Sequence, residues 1–133
     1  MASTKPAFVK LGVKPEHRAA KLHAPADAEK SLGQAPEGCR LAASLSGTLD
    51  FILAFYESEK ALKAELPRIR KALPGTGMAW VCWRKGNVTD LSRDTIALLA
   101  QSEGLEAVSS CAINDNWSAL KLMYPKEQRA KAG

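Results

Sequence analysis

Six consecutive apolar residues, Phe51-Ile52-Leu53-Ala54-Phe55-Tyr56, constrain this chain more than any other feature. An unbroken apolar run of strand length is what a β-strand covered on both faces requires, and such strands lie inside parallel sheets with helices on either side. The 133 residues leave room for one core of this kind and not for two.

The segments around the run repeat the alternation of strand and helix. Ser58 reads as the N-cap of a helix whose Leu62, Leu66, Ile69 and Leu73 recur at spacings of four, three and four. Pro67 lies within that stripe and cannot bond back to Lys63, which predicts a kink. Pro74-Gly75-Thr76-Gly77 then turns the chain into a second buried strand, Met78 to Trp83. Thr89 or Asp90 caps a further helix with Ile96, Leu99 and Ala100 inward, and Gly104 provides a left-handed exit. Val108 to Ile113 and Ser118 to Tyr124, joined by Asn114-Asp115-Asn116-Trp117, form an antiparallel hairpin with Leu120, Leu122 and Tyr124 on one face.

Toward the N-terminus, residues 1–9 read as a flexible lead, and Arg18 to Leu22 as a first strand stopped by Pro25. Asp27 is placed to cap a short helix, Ala28 to Leu32, ended by Gly33. Cys39 to Leu45 forms another strand. Only about five to seven residues link it to Phe51, where a parallel crossover takes about a dozen, so it is expected to be short or antiparallel. The sum is an α/β fold: a small Rossmann-like three-layer domain over residues 10–125, with a mostly parallel sheet of five or six strands, a C-terminal antiparallel hairpin, and a flexible basic tail at 126–133.

The net charge of +5 invites a nucleic-acid reading, but its location argues against one. The first 23 residues carry +4 and the last eight +2, which leaves the body at −1. Specific nucleic-acid binding is therefore not expected, although basic ends could serve an interaction module. Cys39, Cys82 and Cys111 are odd in number and lack a CxxC pair, and His17 and His23 are too few for zinc, so no metal and no cofactor is expected. No apolar run approaches the roughly 20 residues of a membrane span, and no signal sequence is recognised, which places the chain in the cytoplasm without a membrane partner.

Asp50-Phe51-Ile52-Leu53-Ala54-Phe55, then a helix, then Leu73-Pro74-Gly75-Thr76-Gly77-Met78-Ala79-Trp80-Val81, resembles the later half of class I S-adenosylmethionine-dependent methyltransferases. The cofactor turn of that superfamily is rich in glycine, whereas the corresponding turn here is His23-Ala24-Pro25-Ala26-Asp27. A methyltransferase of standard design is not expected from it. Leu11-Gly12-Val13-Lys14-Pro15, Leu45-Ser46-Gly47, Thr89-Asp90-Leu91 and Asn116-Trp117-Ser118-Ala119-Leu120-Lys121 resemble a bacterial family classed only as a domain of unknown function, number 3052. Members of that family commonly have a longer loop after Trp83 and a glycine at Ala119. This resemblance implies a Rossmann-like fold and no activity.

In a parallel sheet the functional edge is the one at the carboxyl ends of the strands. The residues expected there are His23, Glu57, Ser58, Trp83, Arg84, Lys85, Asp90, Asp115 and Trp117. Trp83 and Trp117 could stack a planar group while Arg84 and Lys85 hold an anion. Equally, the two indoles could only cover the end of the sheet, with Arg84 paired to Asp115. His23 and Glu57 are the candidate acid/base pair and Ser58 a conceivable nucleophile, but no GxSxG motif surrounds Ser58 and no catalytic residue is assigned. The expected function is a non-catalytic ligand-binding or regulatory module for an unknown small molecule. The alternatives are a methyltransferase-like enzyme with a remodelled cofactor site and an interaction module working through basic termini. The strand Ser118 to Tyr124, if at an edge, could pair with a second copy to form a homodimer.

Overall fold

The computed structural model describes residues 7–125, except 46 and 87. The expected basic tail at 126–133 and the first six residues of the expected lead lie outside them. The chain runs through α1 (Ala7–Leu11), β1 (Arg18–Leu22), α2 (Ala26–Leu32), β2 (Arg40–Ala42), β3 (Phe51–Phe55), α3 (Glu59–Ala72), β4 (Met78–Arg84), α4 (Arg93–Ser102), β5 (Glu106–Ala112) and β6 (Trp117–Met123). One six-stranded sheet has the order β2-β1-β3-β4-β6-β5. The first four strands are mutually parallel, and β6 is antiparallel to both β4 and β5.

Every residue of β3 is buried. Ile52 and Ala54 point to a layer formed by α3 and α4, with Leu62, Leu66, Ile69, Ile96 and Ala100. Phe51, Leu53 and Phe55 point to the opposite layer, formed by Phe8 and Leu11 of α1 and by Ala28 and Leu32 of α2. The apolar run thus lies between two cores, which is why no polar residue interrupts it. Asp50, just before β3, accepts from the backbone N–H and the guanidinium of Arg18, and its own N–H donates to the Arg18 carbonyl. That reciprocal pairing sets the register of β1 against β3.

The structure differs from expectation at several joints. Helix α1 begins within the stretch read as a flexible lead, because Ala7, Phe8 and Leu11 bury a face against the sheet. Helix α2 starts at Ala26 behind Pro25, and no side chain caps it. Asp27 is in its first turn, and its carboxylate is used elsewhere. Strand β2 is short, as the linker required, but it is parallel. It pairs with the far side of β1 instead of β3, and a strand of three residues leaves little height for residues 43–50 to recover. Leu45 and Leu49 anchor that crossover in the α3 layer.

Helix α3 continues through Pro67, which lies on the exposed side, where water can take the carbonyl of Lys63. Ser92, not Thr89 or Asp90, caps α4, its hydroxyl accepting from the Thr95 N–H. Strand β6 is interior, so Ser118 to Tyr124 is no edge; β5 is. Among the described residues no helix is long and apolar enough to cross a membrane.

Candidate functional site: a crevice between β1 and β3

Strand β1 leads through α2 to β2 on one side of the sheet, and β3 leads through α3 to β4 on the other. The chain therefore diverges between the carboxyl ends of β1 and β3, and a crevice opens where two such connections part. A cavity of about 480 Å³ lies there, lined by His23 and Pro25 after β1, by Phe55, Tyr56, Glu57 and Ser58 at the end of β3, by Ala61, Ala64 and Glu65 of α3, and by Trp117.

Two polar clusters frame this cavity. In the first, Glu65 Oε1 accepts from the Tyr56 hydroxyl at 2.6 Å and pairs with His23 Nε2 at 2.8 Å. A carboxylate oxygen only accepts, so His23 donates to it from Nε2. The His23 ring also meets Tyr56 edge to face, with centroids 5.6 Å apart. His23 has φ 59°, the only described non-glycine residue with positive φ, so the turn after β1 holds a side chain where backbone sterics favour glycine. Burial alone would raise the Glu65 carboxyl, but the hydrogen bonds from Tyr56 and His23 outweigh it and hold Glu65 below its ordinary value of 4.5. Burial, then the Glu65 carboxylate, pushes the Tyr56 phenol far upward, so it remains a donor.

In the second cluster, Arg84 donates from Nε to Glu57 Oε1 at 2.8 Å and from its Nη1 atom to Asp27 Oδ2 at 2.9 Å. Its guanidinium lies 4.5 Å from the centroid of Trp117. The Trp117 indole donates to Asp27 Oδ1 at 3.1 Å and stands edge-on to Phe55. Hydrogen bonds from Trp117 and then Arg84 hold the Asp27 carboxyl below its usual range. This cluster joins α2, the segment after β3, β4 and the start of β6, and sets Trp117 as a wall of the crevice.

Of the nine residues expected at this edge, His23, Glu57, Ser58 and Trp117 line the crevice, and Arg84 stands behind Glu57. The others lie elsewhere. Trp83 is paired with Ser118, one position from the Arg84–Trp117 pair, so the two indoles project from opposite faces of the sheet and cannot clasp one ligand. Trp83 packs against the α3 and α4 layer. Asp90 accepts from the Glu59 N–H at the start of α3, a capping role for a different helix from the one expected. Lys85 reaches the hairpin through its backbone N–H on the Asn116 carbonyl, and Asp115 is exposed in the turn. His23 pairs with Glu65 and not with Glu57, and Arg84 with Asp27 and Glu57 and not with Asp115. Ser58 caps α3, its hydroxyl accepting from the Ala61 N–H.

Sequence reading missed Tyr56, Glu65 and Asp27 in these roles. A signal existed for one of them: Ala64 and Glu65 lie three and four residues after Ala61, beside the apolar stripe, so two small residues and an acid face one space. Among the described residues, no three of His, Cys, Asp and Glu are grouped to hold a metal ion.

The native bonds to Glu65 predict an acid response. A carboxyl whose folded value is depressed contributes stability that is present above its unfolded value and is lost as pH falls through the folded one. Wild type should therefore lose stability more steeply below about pH 4.5 than Glu65→Gln, measured as urea midpoints at successive pH values. Parallel curves would remove the argument for an ionised Glu65.

No protein-family model and no curated protein matches the chain in sequence, whereas solved structures match its fold. Magnesium protoporphyrin IX methyltransferase from Synechocystis PCC 6803, with bound SAM, superposes with a TM-score of 0.59 at 9% identity over 90% of this chain and 75% of that one. The 1,6-didemethyltoxoflavin-N1-methyltransferase of Burkholderia thailandensis, with bound 1,6-didemethyltoxoflavin and S-adenosylhomocysteine, gives 0.61 at 14% identity over 90% and 75%. A TehB-like SAM-dependent methyltransferase from Corynebacterium glutamicum gives 0.57 at 11% identity over 90% and 86%. At such identities the likeness is one of architecture: the chain has a Rossmann-like α/β fold similar to that of SAM-dependent methyltransferases.

Proposed function

We propose that the protein binds a small molecule in the crevice between β1 and β3, and that it does so without catalysing a reaction. The ligand carries a positively charged or hydrogen-bond-donating group next to a flat apolar one. The crevice carries this reading. Its volume of about 480 Å³ suits a nucleoside-sized molecule, its walls include Phe55, Tyr56 and Trp117, and its accessible polar groups include the carboxylates of Glu57 and Glu65. Arg84, the cation beside Glu57, is already held by Glu57, Asp27 and the Trp117 face. An anionic ligand would meet two acids, whereas an ammonium or sulfonium group would be attracted.

A second reading is methyl transfer on a remodelled site, and the fold likeness to methyltransferases favours it. Against it stands the turn after β1, where His23 and Pro25 occupy the place of a glycine-rich approach. Calorimetry with S-adenosylmethionine, adenosine and a panel of aromatic amines separates the readings. Binding of a cationic member that weakens at least about tenfold in Glu65→Gln, with no S-adenosylhomocysteine formed in the presence of candidate acceptors, supports the proposal. Formation of S-adenosylhomocysteine supports methyl transfer and overturns the non-catalytic reading. No binding across the panel at millimolar concentration removes both.

A further inference from the structure

A second cavity lies on the face of the sheet opposite Trp117. It holds about 280 Å³ and is lined by Trp83, Arg93, Ser110, Cys111, Ala112 and Ser118. The strand register explains why it exists. Trp83, Ser118 and Ala112 stand in one row across β4, β6 and β5, and Ser110 stands in the neighbouring row of the same face, opposite Leu120 of the α3 and α4 layer. One large ring thus sits beside three small side chains, which leave a space that the first residue of α4, Arg93, borders. Cys111 belongs to the other face, where it packs against the α1 and α2 layer.

The polar side chains of this groove are all donors: the Trp83 indole, the Arg93 guanidinium and the hydroxyls of Ser110 and Ser118. Among the described residues the Trp83 N–H and both hydroxyls have no hydrogen-bond partner in the protein, whereas the indoles of Trp80 and Trp117 are bonded to the Leu11 carbonyl and to Asp27. The one ion pair of Arg93 among those residues is with Asp94 at 3.9 Å, and both side chains are largely exposed, so it holds the guanidinium weakly. No carboxylate lines the groove. The Ala112 carbonyl, an acceptor at the end of β5, is already covered by the Lys10 ammonium at 2.8 Å, which brings a further positive charge to that end of the strand. The charge character is therefore the reverse of that in the crevice, where Glu57 and Glu65 are exposed to a ligand. From this arrangement we infer that the groove is a second binding site, for a planar aromatic group that carries a carboxylate or a phosphate. The ring lies against Trp83, and the acid group takes Arg93 and the serine hydroxyls. A volume of about 280 Å³ falls at the lower end of small-molecule sites, about 300–1,000 Å³, and admits one ring with its acid.

Heteronuclear NMR of the three indole N–H signals tests this, with Trp83→Phe to assign the signal of Trp83. Phenyl phosphate and benzoate are titrated to about 10 mM beside inorganic phosphate and the uncharged benzyl alcohol. The Trp83 signal is expected to move with at least one of the two aromatic acids and much less with either control. Arg93→Gln should weaken that binding at least about tenfold, and Arg93→Lys should weaken it less. Ala112→Leu, which fills the groove from an exposed position, should weaken it with the charge intact. Thermal melts confirm that each variant is folded. A Trp83 signal that neither acid moves overturns the inference, as does binding indifferent to Arg93→Gln. Benzyl alcohol binding as tightly as the aromatic acids overturns the acid requirement, and inorganic phosphate binding as tightly as phenyl phosphate overturns the aromatic one. A shift confined to the Trp117 signal assigns the acids to the crevice and overturns the second site. Cationic ligands of the crevice are read at Trp117, so failure here leaves the proposed function standing.

Discussion

Replacing Trp117 with alanine is expected to cost about 3–5 kcal/mol of stability and to abolish ligand binding in the crevice. The indole is 1% exposed, one of the largest fully buried side chains in the protein. Its ring packs edge-on to Phe55 at 5.2 Å, supports the Arg84 guanidinium, and donates to Asp27. Removing it leaves a cavity beside β3 and an Asp27–Arg84 pair without its platform. Trp117→Phe keeps much of the ring packing and loses the N–H, so it should fall between wild type and Trp117→Ala. Urea denaturation followed by far-ultraviolet circular dichroism reads this without depending on the altered fluorophore. A loss below about 1 kcal/mol for the alanine variant would show that the indole is not enclosed as described.

The second large effect is expected at the centre of the sheet. Leu53 is fully buried between β1 and β4, where it meets Lys21 and Trp80 in register, and its side chain enters the α1 and α2 layer. Leu53→Ala should cost about 2–5 kcal/mol, because a doubly covered strand has no solvent side toward which neighbours can relax. Val88→Ala, at a position 67% exposed, should change stability by no more than about 0.5 kcal/mol. Equal effects at the two positions would contradict the placement of β3 between two layers. The pair also calibrates the measurement, since both substitutions shorten an aliphatic side chain.

Features carried by local chemistry were legible in the residues. Phe51–Phe55 is a buried strand because each of its side chains must leave water, whatever its neighbours are. Ser58 caps α3 because its hydroxyl reaches an amide three residues away, and Gly104 ends α4 with φ 79° because it lacks a Cβ. The stripe Leu62, Leu66 and Ile69 was readable for the same reason: helical spacing alone brings those residues onto one face.

The candidate site depended on distances that local chemistry does not reach. Trp117 and Asp27 are 90 residues apart and touch only because β6 returns beside β4 with Trp117 opposite Arg84. A slip of one residue in that register would exchange the faces of Trp83 and Trp117, since side chains alternate with period two. Asp27 had the composition of a helix cap and became the anchor of Arg84, and Asp90 capped α3 in place of α4, because each carboxylate takes whichever donor the packed layers bring nearest.

The chain by itself therefore determined β3, α3, β4 and α4 and their burial, since burial and capping there are decided within a few residues, whereas α1, read as a flexible lead, is a helix only because the sheet gives its apolar face something to cover. Only the tertiary structure decided that His23 turns to Glu65, that Trp117 and not Trp83 walls the crevice, and that β2 and β5, not β6, are the edges of the sheet. Strand order and register are settled by the simultaneous packing of all six strands, and no single segment contains that information.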